Sequence, residues 1–300
     1  MGVYSKDDAL SDYIERAYVE FMRLKIPFDS ATIKEINYGV SFKVGEGKGA
    51  VSVAVYHTER KGFSIVTSDP KIRSILLSLL TETGTVGNDE AGKGDLFGPL
   101  VVCSFLLGES ESELLKLHVT DSKKLKDAEI ISIYEQVQKN FPNSFAALRM
   151  MPEKFNKAFE VATAKNQNSN HILAWSHART IERLLARRRD AKRVLVDQFS
   201  ESDFVNRPIV LAAGSTPVNF RVRAEQNPAV ALASIVARAI YLKSLYEMNE
   251  SLLEGKLVLT PGSGPDADIL LKKAVGLFGA GIIQKIAKAN FANCAPYKIQ

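Results

Sequence analysis

Two adjacent acids, Asp89 and Glu90, stand between an apolar stretch at residues 85–87 and a Gly-Lys-Gly tripeptide at residues 92–94. Carboxylates beside a backbone that lacks side chains suit a divalent metal ion that must meet a phosphate. The metal ion cancels the repulsion between carboxylate and phosphate, and the glycines let the backbone of a polyanion come close. The run therefore indicates a metal-dependent site for a phosphate-containing substrate.

The same run nearly matches a phosphate-binding P-loop, with Gly87, four residues, Gly92 and then Lys93. That motif requires Ser or Thr at the next position to bind magnesium, whereas this chain has Gly94. It would also put two acids where bare amides should cradle the phosphate. We therefore interpret the match as accidental. A P-loop-like nucleotide hydrolase is the weaker alternative, and hydrolysis of ATP or GTP without nucleic acid would favour it.

Two further acids stand next to apolar segments later in the chain. Asp197 follows the apolar residues 194–196, and functional groups gather at strand ends in open α/β sheets. Glu225 precedes residues 228–238, whose small and apolar side chains suit a helix packed tightly against a sheet. Considered alone, Asp197 is equally typical of a helix cap or a turn. A Glu near a helix start, such as Glu225, is usually a partner to the helix dipole.

Together these segments resemble a known family, the type 2 ribonucleases H. The run Asp-Glu-Ala-Gly-Lys-Gly-Asp at residues 89–95, with Phe-Gly-Pro-Leu-Val at residues 97–101, is similar to the first active-site strand of that family. Asp197 and Glu225 resemble its third and fourth acids. Lys between the glycines, and Glu rather than Asp at position 225, are similar to the ribonuclease HIII branch. The resemblance is strong over residues 85 to 295 and weak over the first 80.

The resemblance implies an endonuclease that hydrolyses the RNA strand of RNA–DNA hybrids and leaves 5′-phosphate and 3′-hydroxyl ends. It implies two divalent metal ions, Mg²⁺ or Mn²⁺, which would supply the nucleophile, so that no Ser-His or Cys-His pair is needed. The expected catalytic and metal-binding residues are Asp89, Glu90, Asp197 and Glu225. The expected substrate-binding residues are Gly92, Lys93, Gly94, Ser122 and Lys123.

The two consecutive acids can reach one metal cluster only if the strand that carries them is irregular or ends there. Side chains of neighbouring residues in a regular strand point to opposite faces of the sheet. We therefore expect Glu90 to lie at a strand end or a bulge, so that its carboxylate and that of Asp89 can reach one metal cluster. We expect His171 and His177, in the segment 168–179, to be structural rather than catalytic.

The composition permits a nucleic-acid partner without demanding one. The net charge is +5 and the pI is about 9.0, but many basic proteins bind no nucleic acid. A non-catalytic nucleic-acid-binding protein is therefore the main alternative, and metal-dependent nicking of a hybrid would exclude it. Cys103 and Cys294 form no Cys-x-x-Cys pair, which argues against a zinc site. We expect no membrane span, because the longest apolar run, residues 96–107, is too short to cross a bilayer. We also expect a cytoplasmic monomer.

The chain divides into two predicted domains. Residues 85–300 alternate strands and helices, which argues for an α/β layer fold. We expect a ribonuclease H-like mixed sheet flanked by helices there, with a final helix over residues 267–289. Residues 1–80 predict a small N-terminal α+β domain, weakly similar to a TATA-binding-protein-like unit, with strands at 33–44, 50–56 and 63–67.

The N-terminal domain carries an uneven charge. From Arg23 to Arg73, nine Lys and Arg residues stand against five Asp and Glu residues, a net of +4. Such a surface is equally typical of an ordinary solvated face and of one that meets a phosphate backbone. Because the family resemblance points to a hybrid substrate, we expect residues 1–80 to form a substrate-binding domain.

Overall fold

Two sheets organise the computed structural model, which describes residues 5, 7–58, 62–80, 83–108, 110–111, 114 and 125–297, without the side chain of residue 48. The strands are β1 Phe28–Ile36, β2 Gly39–Val44, β3 Val51–Thr58, β4 Gly62–Thr67, β5 Thr85–Ala91, β6 Leu100–Leu107, β7 Phe145–Met150, β8 Arg193–Asp197 and β9 Val218–Arg221. The α-helices are α1 Asp8–Arg23, α2 Pro70–Leu79, α3 Asp127–Asn140, α4 Pro152–Thr163, α5 Ser169–Arg187, α6 Asp203–Ala213, α7 Pro228–Ser251, α8 Pro265–Phe278 and α9 Ile283–Ile286.

The N-terminal sheet is antiparallel and has the order β1-β2-β3-β4. Helices α1 and α2 supply apolar side chains to the same hydrophobic cluster as the strands, and the buried members of that cluster lie between Leu10 and Leu77. The buried hydroxyl of Tyr13 donates a hydrogen bond to the carbonyl of Leu76, which ties the two helices together. The role of this unit in substrate binding stays a prediction.

The single strand expected over residues 33–44 is wrong, because the segment contains a hairpin. Ile36 pairs with Gly39, and the two residues between them form the turn. Tyr38 adopts φ of +58° there, a left-handed conformation that bulky side chains rarely take. Apolar periodicity continues across the turn, so it did not reveal the reversal of the chain.

The second sheet is mixed, as expected for an α/β fold. Its order is β7-β6-β5-β8-β9, with β6 antiparallel to both β5 and β7. Strand β8 is parallel to both β5 and β9. All eight residues of β6 are buried, as in a strand covered by helices on both sides. The predicted mixed sheet with flanking helices is therefore confirmed.

Helices on opposite faces of β5 separate its side chains into two sets. Gly87 lies against α7 so closely that an added Cβ would sit 2.1 Å from the carbonyl carbon of Ala229. Val86 points the other way and packs in a cluster with Ile181 of α5 and Ile209 of α6. Because side chains alternate along a strand, odd-numbered residues of β5 face α7 and even-numbered residues face α5.

Helix α7 is the central helix of the larger core. By length and composition alone it could cross a membrane, so the expectation that no segment reaches that length is wrong. However, 72% of its most apolar window is buried inside the fold, as in the core helix of a globular protein. Its small residues Ala229 and Ala233 are fully buried, which lets it approach the sheet closely.

The single helix expected over residues 267–289 is also wrong. Helix α8 ends at Phe278, and Gly279 follows with φ of +78°. A glycine in this conformation ends a helix without steric cost. The short helix α9 follows, and the backbone then reaches the loop between β5 and β6, where Phe97 forms an isolated bridge to Ala287.

Candidate active site

All four predicted acids line one pocket of about 440 Å³ at the ends of β5 and β8. Gly92, one of the predicted substrate residues, lines it as well. The remaining lining residues are Ala91, Leu125, Asp127, Ile130, Ser234 and Arg238. A larger pocket of about 700 Å³ lies between α4 and the C-terminal segment, but it is mainly apolar and contains none of the four acids. The acidic pocket is therefore the candidate active site.

Sheet pairing explains why acids collect at this edge. Strand β8 pairs with β5 only as far as Asn88, so Asp89 and Glu90 project beyond that parallel pair. Asp197 is the last residue of β8, and its carboxylate accepts a hydrogen bond of 2.8 Å from the backbone N–H of Ala224. Glu225 follows in a short 3₁₀ turn just before α7. Two strand ends and one helix start thus bring the four acids to a common pocket.

Glu90 lies at a strand end, as the sequence predicts. It is the sixth of the seven residues of β5, and the register with β6 continues past it without a bulge. Asp89 faces α7 and forms a hydrogen bond with Ser234, whereas Glu90 faces α5. The two carboxylates therefore approach the pocket from opposite faces of one strand.

Asp89 lies in an environment that opposes its negative charge. Burial raises the pKa of its carboxyl well above the usual value near 3.8, and the nearby charges of Glu90 and Asp197 raise it further. The hydrogen bond from Ser234 and a 2.7 Å bond from the backbone N–H of Glu90 offset only part of this. A positive charge at this position would relieve the repulsion.

Glu90 behaves in the opposite way, because it has donors close by. Burial raises the pKa of its carboxyl, but His177 and Lys93 outweigh burial and the pKa is lowered overall. Nε2 of His177 lies 3.3 Å from Oε2 of Glu90, and Nζ of Lys93 lies 3.7 Å from Oε1. The His177 contact lies within ion-pair distance, although the ring N–H is not aligned for a regular hydrogen bond.

The backbone requires glycine to different degrees at positions 92 and 94. Gly92 adopts φ of +84°, and an added Cβ would lie 2.1 Å from the carbonyl oxygen of Pro99. Gly94 has neither a positive φ nor any atom within 4 Å of an added Cβ. The fold therefore requires glycine at position 92 but not at position 94. Ser122 and Lys123, the other predicted substrate residues, lie outside the described residues.

The C-terminal segment supports the loop that follows these glycines. Lys288 is almost completely buried, and its ammonium donates to the carbonyl of Gly98 at 2.9 Å and to that of Phe97 at 3.4 Å. The backbone N–H of Lys288 also donates to the carbonyl of Leu96. These bonds hold the loop between Gly94 and β6 against the body of the fold.

The donor chemistry of the pocket fits a divalent cation. Carboxylate oxygens are the ligands that Mg²⁺ and Mn²⁺ prefer. Burial and, after it, the charges of Glu90 and Asp197 raise the pKa of Asp89, and a cation would offset both. Within the described ranges, no three His, Cys, Asp or Glu side chains already lie close enough together to hold one ion. The Glu90 carboxylate is directed towards His177 and Lys93, so a complete ligand set requires the acidic side chains to rotate at their strand ends.

Several residues that line the pocket or contact the predicted site residues were not assigned to the site from the sequence. Ser234 and Arg238 are four residues apart on α7 and both line the pocket; a polar pair at helical spacing within an apolar run was a usable signal. His177 was predicted to be structural, and it is fully buried, yet it contacts Glu90. Phe199 lies under Lys93, with 5.3 Å between Nζ and the ring centroid, and no sequence pattern predicted this contact.

The comparisons with known proteins agree on one family. The model of the ribonuclease HII family matches residues 86–294. Ribonuclease HIII of Protochlamydia amoebophila is 33% identical over 212 residues, which cover 70% of this chain and 66% of that protein. Ribonuclease HIII of Listeria monocytogenes is 31% identical over 234 residues, which cover 76% of this chain and 73% of that protein.

Solved structures share the fold. The crystal structure of Bst-RNase HIII in complex with Mn²⁺ matches with a TM-score of 0.65 at 22% identity and covers 97% of this chain and 96% of that one. Ribonuclease HII of Archaeoglobus fulgidus, solved in complex with PCNA, matches with a TM-score of 0.53 at 26% identity over 65% of this chain and 88% of that one. The chain therefore belongs to the ribonuclease HII family, with ribonucleases HIII among its relatives, and it is a metal-dependent ribonuclease H.

Proposed function

We propose that this chain is an endonuclease that hydrolyses the RNA strand of RNA–DNA hybrids with two divalent metal ions, Mg²⁺ or Mn²⁺. The observation that carries the proposal is the gathering of four acids around one pocket, where the pKa of Asp89 is raised by burial and neighbouring negative charge. The residues that would hold the ions are Asp89, Glu90, Asp197 and Glu225. When bound, such ions activate water and stabilise the leaving oxygen, which gives 5′-phosphate and 3′-hydroxyl ends.

The chain's own residues would position the substrate. Lys93 is held at the rim of the acidic pocket, 40% exposed, by its contacts with Glu90 and Phe199, so its ammonium can meet a phosphate. RNA differs from DNA by the 2′-hydroxyl, which both donates and accepts hydrogen bonds. The backbone at Gly94 has open space around it, so it can come close to a ribose. This arrangement favours a substrate that contains ribonucleotides.

The two alternatives explain less of the site. A P-loop hydrolase would need a hydroxyl in place of Gly94 and bare amides in place of the two acids. A non-catalytic binding protein would gain nothing from burying acids that repel both each other and a nucleic-acid backbone. Metal-dependent nicking of a labelled hybrid, compared with duplex RNA and duplex DNA, would distinguish the proposed function from both alternatives.

The central acid can be tested by substitution. We expect Asp89→Asn to lower cleavage by about a thousandfold or more, because a metal-binding carboxylate is worth several kcal/mol of transition-state stabilisation. The exposed Asp203 offers a matched control, and Asp203→Asn should cleave at the wild-type rate. Gel assays with Mg²⁺ and with Mn²⁺ provide the measurement, and full activity of Asp89→Asn would refute the site assignment.

The same variant should show how stability depends on pH in a metal-free buffer. A carboxyl with a raised pKa holds its proton more tightly in the folded state than in the unfolded state. Its contribution to stability is therefore present below the unfolded pKa, near 4, and is lost as the pH rises towards the folded pKa. Asp89→Asn should gain in melting temperature over the wild type as the pH rises, and a constant difference would contradict the raised pKa.

The two glycines can be separated by alanine substitutions. Gly94→Ala should change the free energy of unfolding by no more than about 0.5 kcal/mol, as is usual for surface positions. It should nevertheless raise KM for the hybrid, because the added methyl group would meet the substrate. Gly92→Ala should lower stability by more than about 1 kcal/mol, since its positive φ strains any L residue. A Gly94→Ala protein with wild-type KM would remove position 94 from the substrate interface.

We also propose that residues 1–80 bind the hybrid backbone. The buried cluster of residues 1–80 shares no residue with the buried clusters of the second sheet. All four acids lie outside residues 1–80. A chain that begins at Thr83 should therefore fold and cleave but bind hybrid more weakly at low salt. The logarithm of its affinity should fall less steeply with the logarithm of the salt concentration, by about one unit of slope for each phosphate that the truncated chain no longer binds. Equal affinity of the folded truncated chain and the full chain would contradict this role.

A further inference from the structure

Glu90 reaches the acidic pocket from the face of β5 that Asp89 does not use. Its two carboxylate oxygens have different neighbours, with His177 near Oε2 at 3.3 Å and Lys93 near Oε1 at 3.7 Å. A glutamate side chain has several rotatable bonds and many accessible rotamers. The orientation of this carboxylate therefore depends on the groups that flank it.

The His177 ring is held in one orientation by a buried network. Its Nδ1 contacts Oδ1 of Asn88, while Nδ2 of the same amide donates to the hydroxyls of Ser104 and Thr180. Thr180 in turn donates to the carbonyl of His177 at 2.9 Å and accepts from Ser104 at 2.8 Å. Because the amide nitrogen is occupied by the hydroxyls, its oxygen faces the ring. Each ring nitrogen therefore faces an acceptor, Oδ1 of Asn88 at Nδ1 and Oε2 of Glu90 at Nε2, as suits a ring that donates from both nitrogens. Nε2 is thereby directed at Glu90.

A purely structural histidine would not need this second contact. His177 is 0% exposed, and its Nε2 has no regular hydrogen-bond partner in the part of the chain that the structure describes. Buried polar atoms rarely lack a hydrogen-bond partner, and those that do often have a functional role. The carboxylate within ion-pair distance of Nε2 is one expected to bind metal, so the atom is placed where it can restrain that carboxylate.

Phe199 links the histidine to Lys93. Its ring stacks on that of His177, with centroids 4.9 Å apart and an angle of 6° between the planes. The ammonium of Lys93 lies 5.3 Å from the centroid of the same ring, within the range of a cation–π contact. Glu90, His177, Phe199 and Lys93 therefore form a closed ring of contacts at the edge of the pocket.

We propose that His177 is a positioning residue for the metal site, because it holds the Glu90 carboxylate and, through Phe199, supports Lys93 on the substrate side. The inference rests on the proposed function, since it takes Glu90 as a metal ligand. Groups that orient a metal ligand typically change metal affinity or activity ten- to hundredfold when they are removed. His177 should have an effect of that size without touching the metal or the substrate.

A pair of amide substitutions separates the two contacts of the ring. Asn in place of His177 can place its amide near the position of Nδ1 and keep the bond to Asn88, but it is too short to reach Glu90. Gln can place its amide near the position of Nε2 and keep the contact with Glu90. We expect His177→Asn to bind Mn²⁺ about tenfold or more weakly in the absence of substrate, and His177→Gln to bind it more tightly than His177→Asn.

Isothermal titration of the full chain with Mn²⁺ alone gives this readout, and steady-state cleavage of a labelled hybrid gives kcat and KM. His177→Asn should lower kcat more than it raises KM, whereas Phe199→Leu should mainly raise KM, because it removes the ring beneath Lys93. Ser176→Ala is the matched control: it removes a buried hydrogen bond of the same helix, from the Ser176 hydroxyl to the carbonyl of Ile172, that is no part of the network holding the His177 ring, so it should lower the melting temperature and leave Mn²⁺ affinity unchanged.

Wild-type Mn²⁺ affinity and wild-type kcat in a folded His177→Asn protein would overturn the inference and leave His177 a structural residue. A decrease in Mn²⁺ affinity in Ser176→Ala equal to that in His177→Asn would overturn it as well, because the effect would then follow from general loosening of α5. A wild-type protein that does not cut hybrid would contradict the proposed function instead, while the Mn²⁺ titrations would still decide the role of His177.

Discussion

Repulsion between carboxylates at the ends of β5 and β8 is the constraint on which the rest of this site depends. Asp89 shows it directly, because the charges of Glu90 and Asp197 add to the effect of burial in raising its pKa. The fold offsets two of the other acids locally: His177 and Lys93 lie against Glu90, and the N–H of Ala224 donates to Asp197. Asp89 receives weaker compensation from Ser234 and from backbone. A bound cation would neutralise the negative charge that these contacts leave uncompensated.

The packing of α7 makes this concentration of charge possible. A fully buried helix with alanines against the sheet can approach β5 until Gly87 has no room for a side chain. That close approach places Ser234 beside Asp89 and Glu225 beside Asp197, at the same end of the sheet. On the other face, α5 packs apolar side chains against Val86 and also carries part of a polar network that reaches Glu90 through His177. The two helices thus define the two approaches to one pocket.

The sequence predicted that the four acids would meet, because each stands at the boundary between an apolar segment and a polar one, and strand ends are where such residues come together. It also predicted that Glu90 must lie at a strand end, which the β5 register confirms. Alternation along a strand shows that neighbours face opposite ways, but it does not show which helix covers each face. The contact between His177 and Glu90 therefore could not be predicted, since helical periodicity reports that a side chain is buried and not what it touches.

The errors in secondary structure have the same origin. The hairpin at Tyr38 and the break at Gly279 are single residues in left-handed backbone conformations, and apolar side chains continue on both sides of each. A periodic pattern averages over such residues, whereas one φ angle reverses the chain. These errors lie away from the acids, so they did not affect the prediction of the site.

The most direct test is a crystal structure of the wild-type protein grown with Mn²⁺, with the ions located by anomalous scattering. If acids from both faces of β5 serve one metal cluster, Mn²⁺ will lie within about 2.5 Å of a carboxylate oxygen of Asp89, and the cluster will include an oxygen of Glu90 at a similar distance. Mn²⁺ bound by Asp89 and Asp197 alone, with Glu90 still directed at His177 and away from every ion, would contradict this arrangement.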